Sequence, residues 1–489
     1  MVLGLKFVVF QSENQSYLSY VHEEETFHGF LQFSGEKIVS PYVKFKIESA
    51  KTQGNYGFVH IRSCYNNKYW VARSSQDDYS YIIAGADEPN EDRSEISCTL
   101  FEPVRKNGDG GGGGSGSSGS ISTSTNSTFR FRHVHLDQYL CPQASESAPN
   151  RDLLVVHSLS TAGPYDFHVR DWQSQLILPK YIALKGDNGL YLSARASLIN
   201  KHQFLKFVSH DIRDPTVVNE VVITKDGSIH IKNDKFKKFW SLTGNEWIWV
   251  DSNDATPNNL HTLFSPVKVG ENIVALRNLG NNKFCERRTK FWWTNYLSAN
   301  VTTISNEAHL VVEEPVSSRE IYDIKFRILD ARIYNQNIME TESATNQTQS
   351  PKTTKLKFYP KVTRSSTLNA SVSMKLGVKT TVKVSAIPLI VDGKVELIPE
   401  LTGSLQWGKT VSIKNVVESL ETEFPVTVPP MSRLTISLEG TKAACDVPFS
   451  YWQRDTLMNG QHVVHKFDDG IYTGINCSNF DYKRVEEKL

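Results

Sequence analysis

A stretch of about 150 residues near the start of the chain occurs a second time, with its short motifs in the same order. His60-Ile61-Arg62 leads to Tyr69-Trp70, and about 170 residues later His230-Ile231-Lys232 leads to Phe239-Trp240. Thr99-Leu100-Phe101 returns as Thr262-Leu263-Phe264, Phe30-Leu31-Gln32-Phe33 as Phe204-Leu205-Lys206-Phe207, and Tyr17-Leu18-Ser19 as Tyr191-Leu192-Ser193. Self-similarity at a fixed offset means duplicated structural units, and it constrains the fold more than any local propensity. Each copy also repeats within itself. In the second, Asp187-Asn188-Gly189, Asn233-Asp234 and Asn281-Asn282 each precede an aromatic or apolar run, at intervals near 47 residues. Short alternating runs between turn residues dominate, and helical periodicity is scarce. Three all-β units of about 45 residues predict a threefold β-trefoil barrel, because closing a sheet on itself removes its edges. The fold class is therefore all-β: two tandem β-trefoil domains followed by a third region of different character.

The first copy carries an insertion. Residues 108–128 read GDGGGGGSGSSGSISTSTNST, a composition that cannot bury a core. A further apolar unit, 129–169, follows it, so the insertion reads as a surface loop inside the first trefoil rather than as a domain linker. The expected boundaries are 1–172, 178–313 and 317–489. The opening MVLGLKFVVF is too short for a signal peptide and reads as a first strand. No apolar run reaches the roughly 20 residues of a membrane helix. The expectation is a cytoplasmic protein that acts at target membranes after release. The six cysteines show no C-x-x-C spacing and read as free core thiols.

Several motifs of the first two thirds resemble the amaranthin-like plant lectins: Leu31-Gln32-Phe33-Ser34, Ala86-Asp87-Glu88-Pro89-Asn90-Glu91, Cys98-Thr99-Leu100-Phe101, Phe167-His168-Val169-Arg170-Asp171-Trp172 and Phe239-Trp240. The resemblance implies two agglutinin trefoils per chain, a head-to-tail dimer, and binding of galactose/N-acetylgalactosamine-type disaccharides such as the T-antigen. It places a carbohydrate-binding cluster at Asp78, Tyr79, Ser80 and Tyr81, with Asn272 contributing from the partner trefoil. Here Asp, Ser and Tyr stand where that family has Asn, Tyr and Trp. The matching loop of the second trefoil holds Trp247 and Trp249, whose alternation reads either as a sugar platform or as core packing.

From about Ser317 the chain turns to Ser, Thr, Lys and Val in long alternating runs. Val372, Met374, Leu376, Val378, Val382 and Val384 share one parity; on the return arm Val395, Leu397, Leu401, Leu405 and Trp407 share the other. An antiparallel register with the turn at Leu389-Ile390 sets Val384 opposite Val395, Val382 opposite Leu397 and Lys383 opposite Glu396. This gives one apolar and one charged face. A membrane barrel strand needs about 9–11 such residues. The expected membrane hairpin therefore comprises Val382, Val384, Ile387, Pro388, Leu389, Ile390, Val391, Val395 and Leu397, with the apolar tip entering first. This region resembles the aerolysin family through that hairpin, through Trp407-Gly408-Lys409-Thr410 and through residues 426–437 (VTVPPMSRLTIS). The resemblance implies ring assembly, each subunit donating one hairpin to a β-barrel pore.

Lys plus Arg is 54 and Asp plus Glu is 53, a balance that argues against nucleic acid as a partner. Gly403 to Thr410 fits the phosphate-loop pattern but continues an alternating strand, not a strand–loop–helix unit. No catalytic constellation and no zinc-ligand spacing appears, so neither an enzyme, a metal site nor a cofactor is expected. The partners expected are glycoconjugates, a membrane and further copies of the chain. The competing reading is a non-lytic carbohydrate-binding stress lectin whose C-terminal domain only mediates oligomerisation.

Overall fold

The computed structural model describes residues 4–489 other than 24, 76–78, 107–125, 144–151, 158–164, 197–201, 359–363, 371–376, 392, 400–406, 409 and 414–421. Its described secondary structure is strands and short 3-10 turns.

Two 12-stranded antiparallel sheets account for the repeated region. The first closes where its first strand, Phe7–Gln11, pairs with its last, Phe167–Asp171. The second closes where Tyr181–Lys185 pairs with Leu310–Glu313. Alternating side chains fill each barrel. In the first, the Phe10 ring lies 5.2–6.2 Å from those of Phe45, Trp70, Phe131 and Phe167. In the second, Trp240 sits among Leu192, Phe207, Ile231 and Phe264. Both are β-trefoils, with the duplication visible as equivalent cores. Trp70 and Trp240, the repeated tryptophans, are among the largest fully buried side chains.

The repeated polar motifs are structural as well. His60 Nδ1 lies 3.1 Å from the Thr99 carbonyl and 2.8 Å from its hydroxyl, and His230 Nδ1 lies 3.0 Å from the Thr262 carbonyl. Each buried imidazole satisfies a carbonyl that would otherwise lie unpaired in the barrel wall. The strands flanking the Gly/Ser insertion, Phe101–Arg105 and Asn126–His133, pair with each other from Phe101↔His133 to Arg105↔Phe129. The insertion thus connects neighbouring strands of one barrel; its own residues 108–125 lie outside the described ones.

By contacts the chain divides into two units: Met1–Glu320 with Ser371–Lys379 and Gln453–His465, and Ile321–Ala370 with Thr380–Trp452 and Lys466–Leu489. Both trefoils belong to the first, where the Ile38 amide donates to the Lys225 carbonyl at 2.9 Å. The first unit also holds a buried charge network: Arg319 Nε donates to Asp455 Oδ1 at 2.7 Å and Nη2 to Glu314 Oε1 at 2.8 Å. The second unit is built on long strands. Arg332–Asn346 pairs in unbroken register with the start of Ser432–Leu457, and Lys352–Phe358 pairs with Thr422–Val428 over a small core of Leu356, Val426, Val428, Leu434 and Ile436.

The hairpin register differs from the expectation. Ala386–Val391 pairs with Lys394–Pro399, setting Ile390 opposite Val395, Pro388 opposite Leu397 and Leu389 opposite Glu396. The strands connect between Val391 and Lys394, not at Leu389-Ile390, with Gly393 at φ 76; Asp392, the residue before it in the sequence, lies outside the described residues. Asp-Gly is a favoured dipeptide for a two-residue hairpin loop because its second position takes positive φ without a Cβ penalty. That local turn chemistry outweighs the cross-strand pairings Val384–Val395, Val382–Leu397 and Lys383–Glu396, none of which forms in this register. The slip is by an even number of residues, so the parity of the two faces survives.

Candidate functional site

The expected carbohydrate residues fall on different parts of the two barrels. Asp78 lies outside the described residues. Tyr79 opens the strand Tyr79–Ala86, opposite His157. Ser80 is half-buried, opposite Ser74 and Val156. Tyr81 corrects the expectation of an exposed sugar-reading ring: it is 7% exposed and packs edge-on against Phe30 at 5.2 Å. Its hydroxyl accepts a long 3.4 Å bond from Gln143 Nε2. The alternation of the strand, with Tyr81 pairing Val155, turns this side chain inward. Asn272 is half-buried beside Leu310–Glu313, its carbonyl accepting from the Val312 amide at 2.8 Å.

Trp247 and Trp249, by contrast, come together with rings from distant strands. Trp247 is 9% exposed and stacks on Trp293, with centroids 5.7 Å apart and planes 23° apart. Trp249 is half-buried between His202 at 4.3 Å and Phe204 at 5.3 Å. Trp293 and Tyr296 complete the cluster, 5.0 Å from each other, with Trp293 4.8 Å from Phe204. Charge surrounds the rings. His202 Nδ1 lies 2.6 Å from Asp251 Oδ2, whose other oxygen accepts from the Gln203 amide at 3.1 Å. Glu246 accepts from Lys283 Nζ at 2.6 Å and from Arg288 Nη1 at 3.2 Å. The Lys283 hydrogen bond above all, seconded by Arg288, holds the Glu246 carboxyl below the usual range, against a smaller desolvation effect. It therefore stays an ionised acceptor at neutral pH.

Half-buried aromatic faces bordered by carboxylates present a flat apolar surface beside strong hydrogen-bond acceptors. Such a surface matches a pyranose, which has one C–H-rich face and a rim of hydroxyls. The Trp249 indole N–H is buried without a hydrogen-bond partner, the sort of unpaired group that ordered water or a ligand satisfies. His202, Phe204, Trp293 and Tyr296 were not foreseen in the sequence, since they reach Trp249 only through barrel closure. A second concave feature, a polar cleft of about 890 Å³, lies between the trefoils and is lined by Ser12, Asn14, Tyr17, His168, Arg170 and Asp226 among others. Arg170 Nε is buried there without a hydrogen-bond partner.

In the second unit the amphipathic hairpin is stowed. Ile387 and Val395 are 4% and 8% exposed, packed into a core with Ile321, Leu368, Phe449, Tyr451 and Tyr472. Val382, Val384, Leu389 and Ile390 pack partly against the same core. Pro388 is buried, Val391 is half-buried, and Leu397 remains 48% exposed. Among the described residues no helix is long and apolar enough to cross a membrane, which leaves strand-based crossing untouched.

The Agglutinin domain family model matches residues 2–109 and 176–314, together half of the chain. The chain belongs to the agglutinin family. The first match stops where the Gly/Ser insertion begins, and the structure completes that barrel with strands from Asn126 to Asp171. No curated protein matches this agglutinin. Among solved structures, the hemolytic lectin CEL-III overlays 97% of this chain and 93% of its own at 11% identity and a TM-score of 0.31. A mosquitocidal holotoxin covers 67% of this chain and 36% of its own at 12% identity and a TM-score of 0.28. The designed threefold protein ThreeFoil covers 27% and 98% at 11% identity and a TM-score of 0.23. Overlays this loose fix neither fold nor function for this agglutinin.

Proposed function

We propose that this agglutinin binds galactose- or N-acetylgalactosamine-type glycans at a membrane surface and then oligomerises into a β-barrel pore, as a defence protein. One observation carries the perforating half: a hairpin with an apolar parity and a polar parity, paired up to Val391 and Lys394, is folded back onto the core of its own unit. A lone hairpin cannot enter hydrocarbon, because its edge N–H and C=O groups would go unpaired; several copies must close a barrel. Multivalent glycan binding raises the local concentration that such assembly needs. The sugar half is supported by the agglutinin family membership and by the Trp249–Trp293 cluster. Trp249→Ala should weaken retention on a galactose matrix about tenfold, as expected for loss of a central aromatic anchor.

The test of perforation is dye release from vesicles bearing galactose-terminated glycolipids. Leu397 has the apolar parity yet is 48% exposed in the folded chain, so Leu397→Asp should fold normally and bind glycan. On a barrel's lipid face the new carboxylate would carry a penalty in every subunit, smaller than the roughly 2–4 kcal/mol of a midplane Arg or Lys but summed around the ring, and release should be abolished. Equal release by Leu397→Asp and wild type sinks the proposal. One observation favours the second reading, a non-lytic lectin with an assembly domain: Val395 is buried between exposed Lys394 and Glu396, as in any one-sided soluble sheet. That reading predicts agglutination with no release from either protein.

A further inference from the structure

The strands Lys283–Lys290 and Trp293–Val301 of the second trefoil pair as a hairpin with Lys290 opposite Trp293, so Phe291 and Trp292 form its two-residue tip. Both rings stand in solvent: Phe291 is 84% exposed and Trp292 is 94% exposed. The turn holds Phe291 at φ 53, a left-handed conformation that glycine adopts freely and an aromatic residue only under strain. Two large apolar side chains thus occupy a position where turn chemistry favours small polar ones, and neither contributes to the barrel core.

Several polar groups beside the tip are engaged within the hairpin. Thr289 Oγ1 accepts from the Asn295 amide at 3.1 Å, Arg287 Nη1 donates to Asn295 Oδ1 at 2.9 Å, and Arg287 is bound to Asp187. Thr289, Arg287 and Asn295 are thus engaged with one another, whereas a sugar site needs a convergent set of hydroxyl-reading groups. The base is firm, since Trp293, the next residue, stacks on Trp247. Exposed Lys290 adds a positive charge at the rim. Protruding aromatics on a rigid turn with a basic neighbour have the chemistry of the lipid interface, where an aromatic ring rests at headgroup depth and a lysine meets lipid phosphate.

We propose that Phe291 and Trp292 form a phospholipid anchor, separate from the Trp249 cluster and from the hairpin of the second unit, that holds the second trefoil against a bilayer without any glycan. The test is sedimentation of the full chain with phosphatidylcholine vesicles, with and without phosphatidylserine, all free of glycolipid. The variant is Phe291→Gly with Trp292→Ser, a dipeptide suited to the turn, so its melting temperature should match or exceed that of wild type. Wild type should bind, more tightly with phosphatidylserine, and the variant should bind about tenfold more weakly, with retention on a galactose matrix unchanged. Leu397→Asp should still bind these vesicles, which separates this anchor from the pore. Absence of wild-type binding, or equal binding by the variant, overturns the proposal. It is also overturned if the variant keeps vesicle binding and loses galactose retention, which makes the tip a sugar platform. The same holds if the variant loses only lipid-free self-association, which makes it a contact between copies.

Discussion

His133 lies fully buried in the first trefoil, with Nε2 3.1 Å from the Cys98 carbonyl. Burial depresses its imidazole to about 4, against a weaker opposing effect of the Cys98 hydrogen bond. A folded-state value below that of free imidazole means that the stability it confers is complete above about pH 6.5 and is lost as pH falls through about 4. Between pH 7 and 4 the first barrel should lose on the order of 3 kcal/mol. Urea unfolding at the two pH values should show that loss, and His133→Gln should flatten it. Glu91 adds a slope at lower pH. Desolvation alone would raise its carboxyl, but the amides of Lys51 and Thr52, the Thr52 hydroxyl and Asn55 hold it down to about 2. Its contribution is present above the ordinary carboxylate range and is lost towards pH 2. Glu91 ends the Ala86-to-Glu91 motif that carries the family resemblance, and its work is to tie loops to His60. The repeated motifs were legible because they are the barrel's fixed points: Trp70, Trp240, His60 and His230. Of the site, only Trp247 and Trp249 were legible; Tyr81 was not, because which face of a strand turns inward depends on neighbours about 70 residues away.

At the scale of elements, face parity and turn position proved separable. Alternation along residues 380–399 keeps its pairing parity, although Ile387 on the other parity is buried and Leu397 is exposed; the turn follows Val391, with Gly393 in it, a signal that the apolar run Ile387–Val391 overshadowed. Replacing Gly393 by Val should cost about 1–2 kcal/mol locally, because φ 76 is forbidding to a β-branched residue. Hydrogen exchange should then be faster across Ala386–Pro399 than in wild type, with the trefoil strands unchanged. Equal protection would mean that the turn does not set the register. The aromatic cluster belongs to this scale too. Phe204, Trp249 and Trp293 come from strands far apart in sequence, which the threefold closure brings side by side.

Across the whole molecule, a buried charge network helps hold the first unit together. Arg319 is 15% exposed and binds Asp455, 3% exposed, and Glu314, 8% exposed. Burial raises the Glu314 carboxyl more than Arg319 lowers it. Breaking such a network strands its remaining charges, so Arg319→Met should cost about 3–5 kcal/mol and lower the melting temperature. A thermal scan indistinguishable from wild type would contradict this. The molecule joins glycan-binding candidates on two agglutinin trefoils to a stowed amphipathic hairpin, and perforation requires that hairpin to leave its core. An environment-sensitive dye attached to single cysteines at each position from Lys394 to Pro399 measures this most directly on glycolipid vesicles. The account predicts dye in hydrocarbon at 395, 397 and 399 and in water at 394, 396 and 398. Membrane-bound protein with no alternation along these six positions would contradict it.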